Sequence, residues 1–507
     1  MAGKAQTTSV PAPIGGWNAR DALAEMSPTD APILQNWFPA PTYVQLRQGM
    51  VKWATGFPSQ VNSVMIYNGG TTSKMFGASG SAIYDATISG AVGAAVVTGL
   101  TSDKFLHTNV ATPAGTFLMM VNGSDKLRGY NGTTWWIDGD GTRDITGINT
   151  ANCSNIYLAK QRVWMVEKNS LRVWYLPVQS IAGAAVSLDF SSLCRRGGYL
   201  VAMAEWTVNG GFGMQDLTCF ITSQGEMLIY QGYDPSTGNA WALQGIYELG
   251  SPMGPKCFQK MGQDLLLISK EGLTPMSKGV FFADVSTSKA TLSDKIQNAI
   301  SLVTTLYPTN WGWQVQPFPL ENMLILNVPI GVGQQQQYVM NTLTGAWCNF
   351  TGWNANCWGM LNDSVYFGDN TFIGKAWTNY DDAGAQINGD AQQSFNYFKS
   401  PGLLKRWTMM RPVLQANGTP QVLANLNIDF DNTAPTAALS AATTGTSLWD
   451  TARWDAGLWA GSSVIYKQWQ GVNGVGYCAA PRLLAAGKGI SLNWMATDLV
   501  MERGGVL

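Results

Sequence analysis

Apolar and polar residues alternate along most of this chain in short runs bounded by Gly, Asn, Asp or Ser. From about Val61 the runs read "SVMIYNG", "SKMFGAS", "SAIYDAT", "TFLMMVNG", "KLRGYNG", "NIYLAK", "RVWMVEK", "SLRVWYLPV", "LTCFITS", "EMLIYQG" and "DLLLISK". A period of two between turn formers is the mark of a half-buried β-strand. The rhythm continues for about 300 residues, which suits a series of sandwiches or a β-propeller better than any helical fold. One stretch breaks it. In "TLSDKIQNAISLVTTL" the residues Leu292, Ile296, Ile300 and Val303 share a helical face, predicting a short inserted helix near 291–306 with Ser293 or Thr291 as N-cap. The segment Ile88 to Leu100, "ISGAVGAAVVTGL", is too short and too rich in glycine to span a bilayer and reads as an inserted hairpin.

A weak repeat favours the propeller. "YNGTTWW", "YDPSTGNAW" and "VMNTLTGAW" each read strand, turn, Thr or Ser, then tryptophan, and Trp135, Trp241 and Trp347 are evenly spaced. Two blades of roughly 50 residues fit each interval, close to known propeller repeats. An intermediate copy falls at Leu188-Asp189-Phe190, with phenylalanine in place of tryptophan. The tryptophans are expected to fill gaps between adjacent blades, as packing rather than chemistry. In the stretch from Gly210 to Trp241, "SQGE" is expected to join two strands of a blade. Gly210, Gly211 and Gly213 permit backbone conformations closed to other residues.

The expected architecture is therefore all-β: a propeller of about six to seven blades over residues 61–400, preceded by an extended arm (1–60) rich in proline and tryptophan. Residues 401–507 form a β-rich domain whose longer strands, with the arm, make an appended platform. Within it "WDTARWDAGLWAG" carries Trp449, Trp454 and Trp459 five residues apart, a spacing that fits neither a helical face nor one face of a flat strand. These three are candidates for a subunit contact.

Composition narrows the function classes. Apolar residues make up 46% of the 507, but charged residues only 12%, about half the usual ~25%, so much of the surface should be covered. With 56 glycines, 21 tryptophans and 17 tyrosines, turns and aromatic-bearing strands dominate. Lys+Arg at 31 against Asp+Glu at 32 gives a net charge of −1, so nothing global draws the chain to nucleic acid or acidic lipid. The first residues lack an apolar core typical of a secretory signal. Seven dispersed cysteines without a C-x-x-C pair read as free thiols in a reducing compartment.

Candidate chemistry is thin. His107, the single histidine, removes histidine-dependent nucleophile systems and multi-histidine metal sites, and reads as structural. "DGDGTRD", with Asp138, Asp140 and Asp144, has part of a calcium-loop pattern without the closing Glu, and reads as a solvated turn. "QQQQ" at Gln334 to Gln337 is expected to top a hairpin. The glycine clusters lack the lysine of a phosphate loop. A glycosidase carboxylate pair leaves no local signature, so a propeller-type glycosidase or glycan-binding protein stays as the alternative. No catalytic residue, metal site or cofactor is expected.

At Arg195 to Gln231, "RRGGYLVAMAEWTVNGGFGMQDLTCFITSQGEMLIYQG", followed by "GQDLLLISKEGLTPMSK", the chain resembles the tail nozzle, or tail tubular, proteins of short-tailed bacteriophages. The opening "IGGWNARDALAEMSPTDAPILQNWFP" and the closing "WDTARWDAGLWAG" are similar to the same group, so the likeness spans nearly the whole chain. It departs at Asn209 and Phe212, where acidic residues are expected. The resemblance implies a structural, non-enzymatic virion protein of the tail, assembled in the host cytoplasm as a homohexameric ring. It would contact an adaptor protein above and tail fibre or tail needle proteins below, with DNA passing through the lumen unbound and no membrane span. A low charge suits large buried contacts, and a balanced one suits a conduit that must not hold DNA.

Overall fold

The computed structural model describes residues 5–209, 214–281, 291–437, 439–440 and 463–504. Among them the chain is all-β apart from helices Met276–Phe281 and Gln297–Leu306 and short 3-10 turns. Each of the eleven apolar runs coincides with a strand.

Seven antiparallel meanders follow one another. Their first strands are Val61–Asn68, Leu106–Thr112, Cys153–Ala159, Leu200–Asn209, Phe258–Met261, Gln314–Phe318 and Cys357–Leu361. Each first strand lies against that of the next meander, and the last lies against the first. An apolar cluster fills every gap between neighbours. Phe76 and Tyr130 meet between the first and second sheets, Val121 and Met165 between the second and third, and Trp164 and Phe220 between the third and fourth. Buried on both faces, the middle strands lose their alternation and read as continuous apolar runs, such as Met323–Gly331. Close approach demands glycine at Gly129, where a Cβ would come within 2.2 Å of the Trp136 indole.

The N-terminal segment is threaded through the molecule. Gln6–Pro11 pairs with Leu492–Arg503, as does the hairpin Trp37–Pro39/Val44–Leu46 through its second strand. Ile33–Gln35 bridges Trp347–Phe350 of the sixth meander to Ile387–Gln392, making one eight-stranded sheet that runs into the C-terminal region. Met50–Thr55 pairs with Phe372–Ala376 and completes the seventh meander. Arg47, 1% exposed, ties these parts together. Its guanidinium donates to both carboxylate oxygens of Asp382 (2.9 and 2.6 Å), to Asn36 Oδ1, and to the carbonyls of Gln48 and Thr351, and lies 4.6 Å from the Trp353 ring centroid.

The C-terminal strands Lys405–Ala416, Gln421–Ile428, Ala479–Gly487 and Leu492–Arg503 are long, as their pattern predicts. They form two layers over a core that includes Val10, Trp407, Met410, Leu426 and Leu499.

Several local expectations are corrected. Ile88 to Leu100 is no hairpin: Gly90–Ala91 pairs in parallel with Met50–Thr55, and Val97–Thr98 joins the first sheet. Gln334–Gln337 follows directly on the turn of the hairpin Met323–Gly331/Gln334–Asn341 and forms the start of its second strand, with Gln335 and Gln337 buried. Gln337 Nε2 donates to Asn327 Oδ1 and to the Trp353 carbonyl, so the glutamine ties the neighbouring strand to the connection after Phe350, where an apolar residue would leave these acceptors without it. Asp138 is 6% exposed rather than solvated, accepting from Ile145 N and Thr150 Oγ1, whereas Asp140 caps its own exposed turn. The predicted helix forms as a 3-10 turn, Asp294–Ile296, running into Gln297–Leu306. Ser293 precedes it without capping through its side chain, because its Oγ accepts from Leu273 N.

Candidate functional site

Trp135, Trp241 and Trp347 each open the fourth strand of a meander, in the second, fourth and sixth sheets. Trp241, 8% exposed, stacks on Tyr230 of its own sheet and on Trp164 of the third, with ring centroids 5.4 and 5.7 Å away. Trp347 is fully buried and donates its indole N–H to the Leu292 carbonyl at 3.0 Å. Trp135 is half-buried against Phe76 and Tyr130. Phe190 is not their counterpart, since it follows the strand Val186–Asp189 instead of opening it. It packs nonetheless in the same gap as Trp241, 4.9 Å from Phe220. Gly210, Gly211, Gly213, Trp449, Trp454 and Trp459 lie outside the described residues.

The turn "SQGE" joins Met214–Thr222 to Glu226–Gly232, with Gly225 at φ 83°. Glu226, 2% exposed, accepts from the backbone N–H groups of Arg195 and Arg196 at 2.8 and 3.0 Å. A buried carboxylate here positions the loop that carries Arg195 and Arg196.

Where the first strands converge they leave an axial cavity of about 190 Å³, lined by residues of six meanders, among them His107, Asn155, Tyr157, Lys256, Gln314 and Trp358. The Ile66 N–H donates to His107 Nε2 at 3.4 Å, which places the imidazole proton on Nδ1. Burial, and then the charge of Lys256, hold the imidazole down at about 4, so it is neutral at physiological pH. Burial also lowers the Lys256 amine. Asn155 Nδ2 donates to the Pro255 carbonyl at 3.0 Å and so fixes the segment that carries Lys256. Sequence reasoning missed this cavity, because Lys256 in "SPMGPKCFQ" has no motif around it and its neighbours come from five distant strands.

Burial keeps the thiols protonated, with Cys357 pushed up to about 11 and Cys153 to about 12. No disulfide, and no grouping of three His, Cys, Asp or Glu suited to a metal ion, occurs among the described residues. No helix among them is long and apolar enough to cross a membrane.

The outer face of the C-terminal layer carries exposed apolar side chains: Met409 and Met495 on its long strands, Val475 beside them, and Ile465 on the edge strand. Arg411, paired with Asp498, covers the half-exposed Trp469 ring.

No protein-family model and no curated protein matches the chain. Among solved structures it is similar to BBS1N in complex with ARL6DN, at 13% identity over 46% of this chain and 74% of that one, with a TM-score of 0.31. It is also similar to Raptor from Chaetomium thermophilum, at 9% identity over 67% of this chain but only 29% of that one (TM-score 0.38). A third is a putative 6-phosphogluconolactonase from Bacteroides uniformis, at 11% identity over 60% of this chain and 87% of that one (TM-score 0.34). Likenesses this remote assign neither a fold nor an activity.

Proposed function

We propose that the seven meanders are the blades of a β-propeller and that the chain is a structural subunit of a bacteriophage tail nozzle. It would assemble with copies of itself into a ring below an adaptor, as a conduit for DNA. The blade reading is supported by the cyclic succession of first strands and by an apolar cluster in each gap between sheets. The resemblance from Arg195 to Gln231 supports the tail reading.

The observation that carries assembly is the outer face of the C-terminal layer. Met409, Val475, Ile465 and Met495 are all more than a third exposed on a chain with only 12% charged residues. They are spread along the face on either side of the Arg411–Asp498 pair, and a neighbouring subunit of a ring would cover them. Cryo-EM of the purified chain tests this: closed rings, six-membered on the tail reading, are expected. A monomer that binds glycans, or releases sugar from them, would instead favour the glycan-binding or glycosidase alternative.

A further inference from the structure

The C-terminal sheet built on Lys405–Ala416 and Leu492–Arg503 is open on two sides. Leu492–Arg503 takes Gln6–Pro11 as an outer neighbour, and Lys405–Ala416 takes Gln470–Gly476. Among the described residues neither outer strand pairs with another on its far side, so each edge keeps spare backbone N–H and C=O groups. Four residues of Gln6–Pro11 are exposed, and only Val10 is buried. The layer beneath leaves the second edge open, because it meets Gly474 and Gly476 from the face, where a Cβ would run into Ile428. Proteins usually blunt such edges with charge, proline or a bulge. Neither "QTTSVP" nor "QGVNGVG" holds a charged residue, and the proline of the first stands at its end. The first ladder runs without a shift of register, and the second shifts once, between Trp407 and Met409.

The two edges match each other. Three rows of paired residues cross the sheet from one edge to the other: Gln6–Met501–Trp407–Gly474, Thr7–Val500–Met409–Gly471 and Thr8–Leu499–Met410–Gln470. Both edges therefore lie at one height along the strands, as suits a ring that closes without axial rise. All three ladders are antiparallel, so Gln6–Pro11 runs against Gln470–Gly476. Rotation about an axis along the strands leaves their direction unchanged. A neighbour placed by such a rotation brings its Gln470–Gly476 beside Gln6–Pro11 in the antiparallel sense used by these ladders.

We infer, resting on the ring reading above, that this sheet continues from one copy of the chain into the next, with Gln6–Pro11 of each copy adding as an antiparallel strand to Gln470–Gly476 of its neighbour. The contact joins unlike edges by main-chain bonds and needs no charged side chain.

The test is a cysteine pair in the intact chain. Thr7→Cys is combined with Gly471→Cys, two exposed positions at the ends of one row, and a Cβ at Gly471 meets nothing within 4 Å. Thr7→Cys with Asn473→Cys serves for a register shifted by two. Within one chain the ends of a row stand three strand spacings apart, about 14 Å at ~4.8 Å each, beyond the ~7 Å between Cα atoms that a disulfide spans. Mild oxidation should therefore link different copies, giving a ladder of covalent multimers on a denaturing, non-reducing gel that no single variant gives. Mass photometry before oxidation shows separately whether rings form. Rings without a ladder from either pair overturn the edge pairing and leave the ring reading standing, its contact elsewhere. Absence of rings in the wild type overturns both. Should the double variants fail to fold, hydrogen exchange of the wild-type ring against the dissociated chain decides. Slower exchange in Gln6–Pro11 and Gln470–Gly476 on assembly is expected, and unchanged exchange there refutes the pairing.

Discussion

Trp241 lies between the indole of Trp164 and the ring of Tyr230, so one side chain joins two sheets. Trp241→Ala should cost about 3–5 kcal/mol, as large buried aromatics do, measured by urea unfolding. A loss under about 1 kcal/mol would mean that the gap collapses without it. Asp382 is the other single point of failure. Asp382→Asn leaves the Arg47 guanidinium buried without its counter-charge and should cost about 3 kcal/mol or more in the same assay. His107 makes stability depend on acidity. Its folded value near 4 lies below the ordinary 6.5, so the two states bind protons alike above 6.5, and between 6.5 and 4 the unfolded chain alone takes one up. Stability should therefore fall as pH drops through that window, with Lys256 the charged group that faces the ring. His107→Gln, which keeps an acceptor for the Ile66 N–H, should flatten the slope there. An unchanged slope would assign the acid sensitivity to other groups.

At the scale of elements, the strands most readable in the sequence are the middle ones of each meander, buried on both faces and bounded by turn residues. First strands such as "LHTNVAT" and "FQKM" are hard to read from pattern, because they turn His107 or Gln259 toward the axial cavity and interrupt the apolar rhythm. The tryptophan interval is double the sheet interval for a physical reason. The fourth strands of the first, third and seventh sheets begin with Val97, Val186 and Met50, and the fifth sheet has three strands among the described residues. Pairings of the two-residue strand Gly90–Ala91 or of Ile33–Gln35 cannot be read from local pattern, since each is fixed by a distant partner. The cavity was unreadable for the same reason. Met50–Thr55 offers a direct test of closure. Ala54→Pro removes a backbone donor from a strand that pairs on both sides, with Phe372–Ala376 and with Gly90–Ala91. Hydrogen exchange should then quicken in Phe372–Ala376 and Ser364–Gly368 while sheets two to four keep their protection.

For the whole molecule, the exposed apolar residues of the C-terminal layer set the expectation. Met409→Lys with Val475→Lys should leave circular dichroism and melting nearly unchanged, because both side chains already face outward. The proposed ring assembly, followed by mass photometry, should weaken markedly, as association does when apolar anchors are lost from an interface. Rings that form normally would move the subunit contact to another face.

The strand Gln6–Pro11 bears on how such a chain is made. It leaves the ribosome nearly five hundred residues ahead of its partner Leu492–Arg503. Met50–Thr55 must likewise wait for Phe372–Ala376. Each meander can form as it emerges, but the N-terminal segment cannot lock until Leu492–Arg503 has emerged. Contacts so far apart in sequence fold slowly and leave unpaired edges exposed in the interval. Premature termination before Leu492 would release a set of formed meanders with no strand to hold either the N-terminal segment or the C-terminal layer, a product for proteases and chaperones rather than for assembly.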